Sequence, residues 1–410
     1  MIIDSRLRSM HYGWVIVAVG GFVLFSCLGL ARFAYTMILP AMRTGLSLSY
    51  DRMGIISTAN FIGYLTAVIL SPFLIRSFLP RLTIASALLL ISLCMFGIST
   101  ASSFWVVAVL YSLTGLGTGF ANIPMMVMVT YWFRSKQRGK AAGLMIAGNG
   151  LAIIFCGQLI PLLNQRYGSS GWRMAWMALA AISLMIAAAA ALLLRSRPSD
   201  VGLEPMGRPE PVQIDGLKPR NRPDAGSIIV RLGILYLVFG VTFMVYGTFI
   251  VATMIGDYGL SEKQAGFYWS WVGFFSLFSG VGFGVLSDRI GRSRGLALVF
   301  AIQTAAYLLV GLKLGSIWLM ASIVLYGLSV FAIPAIMAAA VGDYLGFSRA
   351  STAFAIITIF FAIGQAVGPG AAGFIAAATG GFTTAYRTAS LFTAGAAVLA
   401  VTLPATADSG

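Results

Sequence analysis

A single basic residue lies deep inside the first long apolar run of this 410-residue chain. Arg32 follows Trp14 by about 18 residues and precedes Met42 by ten, and ten residues of α-helix are about 15 Å long. If the run crosses a membrane, a charge at this depth costs roughly 2.5–3.5 kcal/mol on insertion scales unless something compensates it. A guanidinium can grip a carboxylate through two parallel hydrogen bonds, so Arg32 is a candidate site for an anion.

The chain offers Arg32 no acidic partner within an apolar run. The twelve acidic residues lie at the ends of runs, in loops or in a polar central stretch: Asp4, Asp51, Asp200, Glu204, Glu210, Asp215, Asp224, Asp257, Glu262, Asp288, Asp343 and Asp408. An unpaired cation that faces a water-filled cavity is typical of a site for an anionic substrate. In the alternative, structural interpretation, Arg32 bonds helix carbonyls or pairs with Asp257 at the rim of the membrane.

Polar and aromatic side chains in other apolar runs could complete a binding pocket around Arg32. The candidates are Tyr35, Asn60, Tyr64, Asn122, Asn149, Gln158, Tyr246 and Gln365. Each of them, taken alone, is more often part of a helix–helix hydrogen bond than a substrate contact. Trp269 and Trp271 lie near the end of a run, where tryptophan more often anchors the interface.

No catalytic or metal-binding constellation appears elsewhere. Cys27, Cys94 and Cys156 all lie in apolar stretches, which favours neither a disulfide framework nor a metal site. The single histidine, His11, lies at the boundary of the first run, where a proton relay would be out of place. Because phosphate-binding loops and nucleophile triads are also missing, we expect neither an enzyme nor an ATP-driven pump, and no cofactor.

The composition predicts a membrane protein. Hydrophobic residues make up 59% of the chain, charged residues 10%, and the mean hydropathy is +0.91, whereas soluble domains carry about 25% charged residues. The net charge of +15 could suggest a nucleic-acid partner. The basic residues, however, fall in short clusters between apolar runs, which is the pattern of membrane topology. We therefore expect a lipid bilayer around the chain and no nucleic-acid partner.

Twelve apolar runs are long enough to cross a bilayer as helices, which takes roughly 20 residues each. They lie near 13–42, 51–75, 82–99, 104–131, 139–163, 172–194, 231–256, 264–286, 295–312, 316–342, 350–378 and 384–404. The polar stretch between the sixth and seventh runs holds six prolines and five of the twelve acidic residues, so it cannot bury itself. The sequence thus predicts an all-α protein of two six-helix halves, 1–194 and 230–410, joined by a linker at 195–229.

Charge places both termini in the cytoplasm. Nineteen Lys and Arg residues lie in the N-terminus, the loops on its side and the linker, against seven in the opposite loops. Such an excess marks the cytoplasmic side. We expect the bacterial inner membrane as the location.

The two halves repeat at a spacing of about 211 residues. Leu48-Ser49 before Gly54 matches Leu260-Ser261 before Gly266, and further pairs are Ile123-Pro124 with Ile333-Pro334, Arg138 with Arg349, and Gly157-Gln158 with Gly364-Gln365. Several matches in register indicate homologous halves. A parallel repeat of this kind places a substrate site between the halves near mid-membrane.

The loop after the eighth run carries the sharpest motif, Gly284-Val-Leu-Ser-Asp288-Arg289-Ile-Gly291-Arg292-Ser-Arg294. It resembles the G-x-x-x-D-R-x-G-R-[RK] loop of the major facilitator superfamily. The resemblance implies that Asp288 pairs with nearby arginines such as Arg289 and Arg292 across helix ends to hold one gate state. Gly284 and Gly291 would allow close approach and a tight turn. The equivalent loop of the first half, 71–76, lacks both the glycine and the acid, so any latch should be lopsided.

Three further segments are similar to the YbfB/YjiJ-like branch of this superfamily. They are Gly29–Tyr35, Leu39–Met42 and Ser57–Tyr64, and this resemblance covers the whole chain. The segments His11–Trp14 and Arg197–Leu203 resemble the oxalate/formate and monocarboxylate transporter relatives. Those carriers usually place a substrate arginine in the eighth span, where this chain has none between 264 and 286.

The sequence therefore predicts a monomeric secondary transporter that moves a small organic anion, most simply a carboxylate, by alternating access. Since no acid lies mid-membrane, either a proton travels with the weak acid bound at Arg32 or anions are exchanged. The first is the hypothesis we favour. Two other interpretations stay open: efflux of hydrophobic or drug-like compounds, and a non-transporting sensor or assembly subunit.

Overall fold

Helices account for most of the chain that the computed structural model describes, residues 11–207 and 225–404. The first span combines α1 (Gly13–Leu24), a π-helix (Phe25–Phe33) and α2 (Ala34–Gly45). The other α-helices are α3 (Tyr50–Ser77), α4 (Pro80–Thr100), α5 (Phe104–Trp132), α6 (Ser135–Tyr167), α7 (Gly171–Leu193), α8 (Ala225–Gly256), α9 (Glu262–Ile290), α10 (Arg292–Gly311), α11 (Ser316–Ser329), α12 (Ala332–Leu345), α13 (Phe347–Thr379) and α14 (Thr383–Val401).

These helices supply the twelve predicted spans. Ten helical segments of the described chain are long and apolar enough to cross a membrane. One of them, Gln137–Leu193, has 57 residues, about 85 Å of helix against a hydrocarbon core of about 30 Å. It holds two crossings, α6 and α7, which meet at a short 3₁₀ turn (Gly168–Ser170). With α14 as the last crossing, the prediction of an all-α membrane protein is confirmed.

The contacts between helices repeat from one half to the other. In the first half α3 packs on α5, and α4 packs on α5 and α7; in the second half α9 packs on α11, and α10 packs on α11 and α14. These pairs are equivalent when span one is matched to span seven. Across the halves, α3 packs on α13 and α6 packs on α9. The same match relates these two pairs, because α3 corresponds to α9 and α13 corresponds to α6. The halves are therefore pseudo-symmetric, as predicted.

The tenth span is interrupted between α11 and α12, just before Pro334. Pro334 has no N–H to bond the carbonyl of Val330, but its counterpart Pro124 lies inside the continuous helix α5, so the proline alone does not account for the break. The N–H of Phe331, exposed by the break, donates to Ser279 Oγ on α9 at 3.0 Å. Val330 and Phe331, at the break, lie beside the space between the two halves.

The predicted linker is described in part. Residues 195–207 lie against the first half, where the N–H of Met206 donates to the carbonyl of Trp132 at 2.9 Å. Residues 208–224 lie outside the described residues, and α8 begins at Ala225, within the stretch predicted as linker. The boundaries at 194 and 230 stay predictions.

Candidate functional site

A cavity of about 680 Å³ lies between the two halves. The first half contributes polar side chains from four spans: Arg32, Tyr64, Asn122 and Asn149. The second half contributes Gln365 and Ser276. The structure thus brings five of the predicted binding residues, Arg32, Tyr64, Asn122, Asn149 and Gln365, to one space.

Arg32 lies near the end of the π-helix. In this segment the N–H of Ala34 bonds the carbonyl of Gly29, five residues back, and π-helical turns are frequent at functional sites. The guanidinium carbon lies 4.6 Å from the ring centroid of Phe61 and 4.6 Å from that of Tyr64. These two cation–π contacts hold the guanidinium against α3.

The guanidinium has no acidic partner among the residues that the structure describes, where no carboxylate oxygen lies within 4.0 Å of it. Asp257, the rim acid considered above, pairs with Lys313 at 3.4 Å. Arg32 Nε and Nη2 are buried and have no hydrogen-bond acceptor. These two nitrogens form one edge of the planar group, the edge that binds a carboxylate through two parallel bonds.

Two amide oxygens of the cavity lining are also without a partner. Asn149 Oδ1 on α6 and Gln365 Oε1 on α13 are buried and accept no hydrogen bond. The two residues are 4% and 1% exposed. Leaving a buried polar group unpaired costs about 1–3 kcal/mol. Arg32, Asn149 and Gln365 come from both halves and line one cavity, and unpaired polar groups in residues beside one cavity are a feature expected of a ligand site.

The other four predicted binding residues lie outside this lining. The hydroxyl of Tyr35 donates to the carbonyl of Met53 at 3.0 Å, and the amide of Asn60 donates to the carbonyl of Tyr111 at 2.9 Å. Both contacts hold helices of the first half together. Their roles in binding stay predictions.

Tyr246 and Gln158 also make contacts between helices. The hydroxyl of Tyr246 lies 2.8 Å from Ser322 Oγ, and its ring stacks on Tyr326 at 4.0 Å. Gln158 Nε2 donates to Ser270 Oγ at 2.8 Å and so links α6 to α9. Binding roles for these two residues likewise stay predictions.

Aromatic rings form much of the cavity wall, and the sequence reasoning missed them. Six phenylalanines line it: Phe33, Phe239, Phe243, Phe331, Phe354 and Phe361. A signal was available, because Phe239 and Phe243 are four residues apart and Phe354 and Phe361 seven apart. Such spacings place each pair on one helix face.

The cavity is closed at one end by contacts between the halves. On α6 and α9, a Cβ added at Gly266 would lie 2.1 Å from the carbonyl oxygen of Gly157, so only glycine allows this approach. On α3 and α13, Thr58 donates to the carbonyl of Ala366 at 2.7 Å. Tyr50 packs edge-on against Phe382. We call these contacts between the halves the seam. The seam lies toward the end of the molecule where α3 begins and α13 ends.

At the opposite end the same helices diverge. A Cβ added at Gly139 or Gly143 on α6, or at Gly282 or Gly284 on α9, would meet nothing within 4 Å. Gly139 and Gly143 line the cavity. The cavity therefore widens toward the end where α6 begins and α9 finishes, which is the end of the N-terminus.

The predicted gating residues lie at that wide end, within the second half. Asp288 Oδ1 lies 2.5 Å from Arg292 Nη1, and Arg292 Nε lies 2.6 Å from Asp343 Oδ2. Arg292 thus connects the ends of α9 and α12 from the start of α10. Gly291 makes the turn between α9 and α10 at φ +92°, a conformation that favours glycine. Arg289 is exposed and Gly284 faces open space; no gating role is tested by these positions.

Two curated proteins resemble this chain over about half and about two thirds of its length. The phosphoglycerate transporter protein of Salmonella typhimurium is 24% identical over 201 residues, 48% of this chain and 42% of that protein. Monocarboxylate transporter 12 of Rattus norvegicus is 23% identical over 303 residues, 67% of this chain and 61% of that protein. The chain thus spans about half the length of these curated relatives.

A solved structure shares the fold. The crystal structure of a bacterial homologue of the human lysosomal transporter Spinster matches with a TM-score of 0.70 and 15% identity, covering 95% of each chain. The major facilitator fold is therefore confirmed. The family model described as "Uncharacterised MFS-type transporter YbfB" matches residues 24–404. The chain is a multi-pass membrane protein of the major facilitator superfamily and belongs to the YbfB family of that model, as the loop and segment resemblances predicted.

Proposed function

We propose that this transporter moves a small organic anion, most simply a carboxylate, and that Arg32 binds the anionic group. The observation that carries the proposal is the unpaired Nε–Nη2 edge of Arg32 in a residue that lines the cavity between the halves. Asn149 and Gln365 supply further polar atoms from opposite halves. Asn122, Tyr64 and Ser276 are the other polar residues of the lining.

The names of the relatives support an anionic cargo. Phosphoglycerate and monocarboxylates, which the two curated relatives are named for, are both anions. A cationic compound would be repelled by Arg32, because no carboxylate in the described chain lies near enough to neutralise the guanidinium. These facts favour anion transport over efflux of cationic drugs.

In alternating access, the two halves would separate at one end of the cavity while they close at the other. With both termini in the cytoplasm of a bacterium, as the charge distribution predicts, the wide end of the cavity faces inward and the glycine seam closes the outside. Opening the seam while closing the wide end would expose Arg32 to the other side. The Asp288–Arg292–Asp343 cluster would stabilise the helix ends in the present state.

Movement of the cargo would be proton-linked through the cargo itself. The acids of the described helices lie near helix ends: Asp51, Asp257, Glu262, Asp288 and Asp343. A weak acid that carries its own proton needs no such carboxylate within the membrane. A monomer is sufficient for this cycle, because the cavity is formed by one chain.

Uptake of radiolabelled small acids into proteoliposomes tests the proposal. Arg32→Gln should abolish uptake, while Arg43→Gln, which removes an arginine stacked on Tyr50 at the end of the same span, should leave it nearly unchanged. Uptake driven by an imposed pH gradient supports proton linkage. Uptake that ignores the gradient and needs internal anion shows exchange. Arg32→Gln with undiminished acid uptake would refute the assignment. Transport of hydrophobic cations instead would establish efflux.

A further inference from the structure

The cavity also carries information on which organic anion it fits. Resting on the proposed function, we infer that it selects carboxylates that bear one negative charge and an aromatic body. Two kinds of acid are then excluded: those with a second charge and those covered with hydroxyl groups. Three features of the lining lead to this substrate class.

The first feature is the number of charges. Among the residues that the structure describes, Arg32 is the one charged side chain that lines the cavity. Its free edge, Nε and Nη2, matches one carboxylate. A second carboxylate on the same molecule would lie among apolar side chains without a cation, and burying an unpaired charge is strongly unfavourable. One bound charge is therefore favoured over two.

The second feature is a ladder of stacked rings on the wall formed by the second half. Phe361 stacks on Phe239 with centroids 5.5 Å apart and planes 9° apart, and Phe239 stacks on Phe243 at 5.1 Å and 26°. Phe33, the residue next to Arg32, meets Phe243 and Phe331 edge-on at 6.3 Å each. The ring wall thus reaches the residue beside the guanidinium. The ladder continues onto Tyr236 at one end and Tyr326 at the other, so a flat ring attached to a bound carboxylate would pack against the side of the ladder that lines the cavity.

The third feature is the scarcity of hydrogen-bonding groups. Besides Arg32, the polar lining side chains are Tyr64, Asn122, Asn149, Ser276 and Gln365. Ser276 already donates to the carbonyl of Gly273 at 2.7 Å. A sugar acid would bring several hydroxyls into this space and leave most of them unpaired, which is costly. The lining suits a substrate whose polar atoms are confined to one end.

Binding to the purified protein, measured by calorimetry, tests the inference with four acids. Benzoate is the aromatic monoanion, acetate lacks the ring, terephthalate adds a second charge, and glucuronate replaces the ring by a polyhydroxylated one. Benzoate should bind at least about tenfold more tightly than each of the other three, a ratio equivalent to about 1.4 kcal/mol. Phe243→Leu should weaken benzoate about tenfold and leave acetate unchanged. Phe278→Leu, which removes an exposed ring of α9 outside the cavity, is the matched control.

The outcomes separate this inference from the proposed function. If the acids bind through Arg32 but acetate or glucuronate equals benzoate, the selectivity for an aromatic body is overturned; if terephthalate equals benzoate, the selectivity for one charge is overturned. In each case the anion site stands. If no acid binds, or if Arg32→Gln binds them all equally well, the proposed function fails and the selectivity fails with it. Should Phe243→Leu not fold, Phe361→Leu tests the same ladder, and the wild-type ranking of the four acids is decisive without either variant.

Discussion

The seam between α3 and α13 should control which end of the transporter is closed, and Gly54→Ala tests this. A Cβ at Gly54 would lie 2.5 Å from the carbonyl oxygen of Pro369 and 3.1 Å from the Cα of Gly373. Both neighbours are backbone atoms, so the helices themselves must separate. Overpacking of this kind costs about 1–3 kcal/mol. Because the clash exists only while α3 touches α13, the cost falls on the present state alone.

A penalty of this size should shift the ratio of the two states by about 5- to 150-fold. Double electron–electron resonance measures the distance between two spin labels, which can be attached at the exposed residues Thr44 and Thr384 on either side of the seam. Opening of the seam would increase the fraction of molecules with the longer distance. The native cysteines are buried. Gly143→Ala is the matched control, because its Cβ would meet nothing within 4 Å.

Equal distance distributions for Gly54→Ala and Gly143→Ala would refute the seam as the closing element. If Gly54→Ala does not fold, Gly373→Ala places a Cβ 2.7 Å from the carbonyl oxygen of Tyr50 and probes the seam from α13. Melting temperatures of all variants separate a shift between folded states from a loss of fold.

Two further predictions concern contacts that position the site. Ser279→Ala leaves the N–H of Phe331 unpaired at the break of the tenth span, so it should lower the free energy of unfolding by about 1–3 kcal/mol in denaturant titrations. The control is Ser329→Ala, which should lower it less because the Ser329 hydroxyl bonds only carbonyls of its own helix; equal losses would contradict the bridging role of Ser279. Tyr246→Phe removes the bond to Ser322 and should lower the free energy of unfolding by about 1 kcal/mol without changing acid affinity; an affinity loss would show that Tyr246 reaches the substrate.

The spans were predictable because their physical cause is local. Twenty or so consecutive apolar residues must lie in hydrocarbon, whatever their neighbours do. The pseudo-symmetry was predictable for a similar reason, since the repeated residues, such as Pro124 and Pro334, are visible in the chain itself. Arg32 stood out because a charge within such a run needs a partner, and the sequence contains no acid that could supply one.

Whether an individual side chain points toward the cavity was harder to predict, because its direction depends on how each helix is rotated about its axis in the bundle. The π-helix at Phe25–Phe33 changes the angular step between residues, so the faces of Tyr35 and the residues after it differ from those of a regular helix. Asn60 and Tyr246 have the right polarity but donate to, or contact, neighbouring helices. The phenylalanine ladder could not be predicted, because an apolar ring in a membrane span can face lipid as readily as a cavity.

The position of a bound acid relative to Arg32 tests the central proposal most directly. A structure determined with the tightest-binding iodinated benzoate, located by the anomalous signal of iodine, would give that position. We expect both carboxylate oxygens at about 2.7–2.9 Å from Nε and Nη2 of Arg32, with the ring against Phe243. A carboxylate bound elsewhere, with the Nε–Nη2 edge of Arg32 still unpaired or bonded to helix carbonyls, would contradict the role of Arg32 as the anion-binding group.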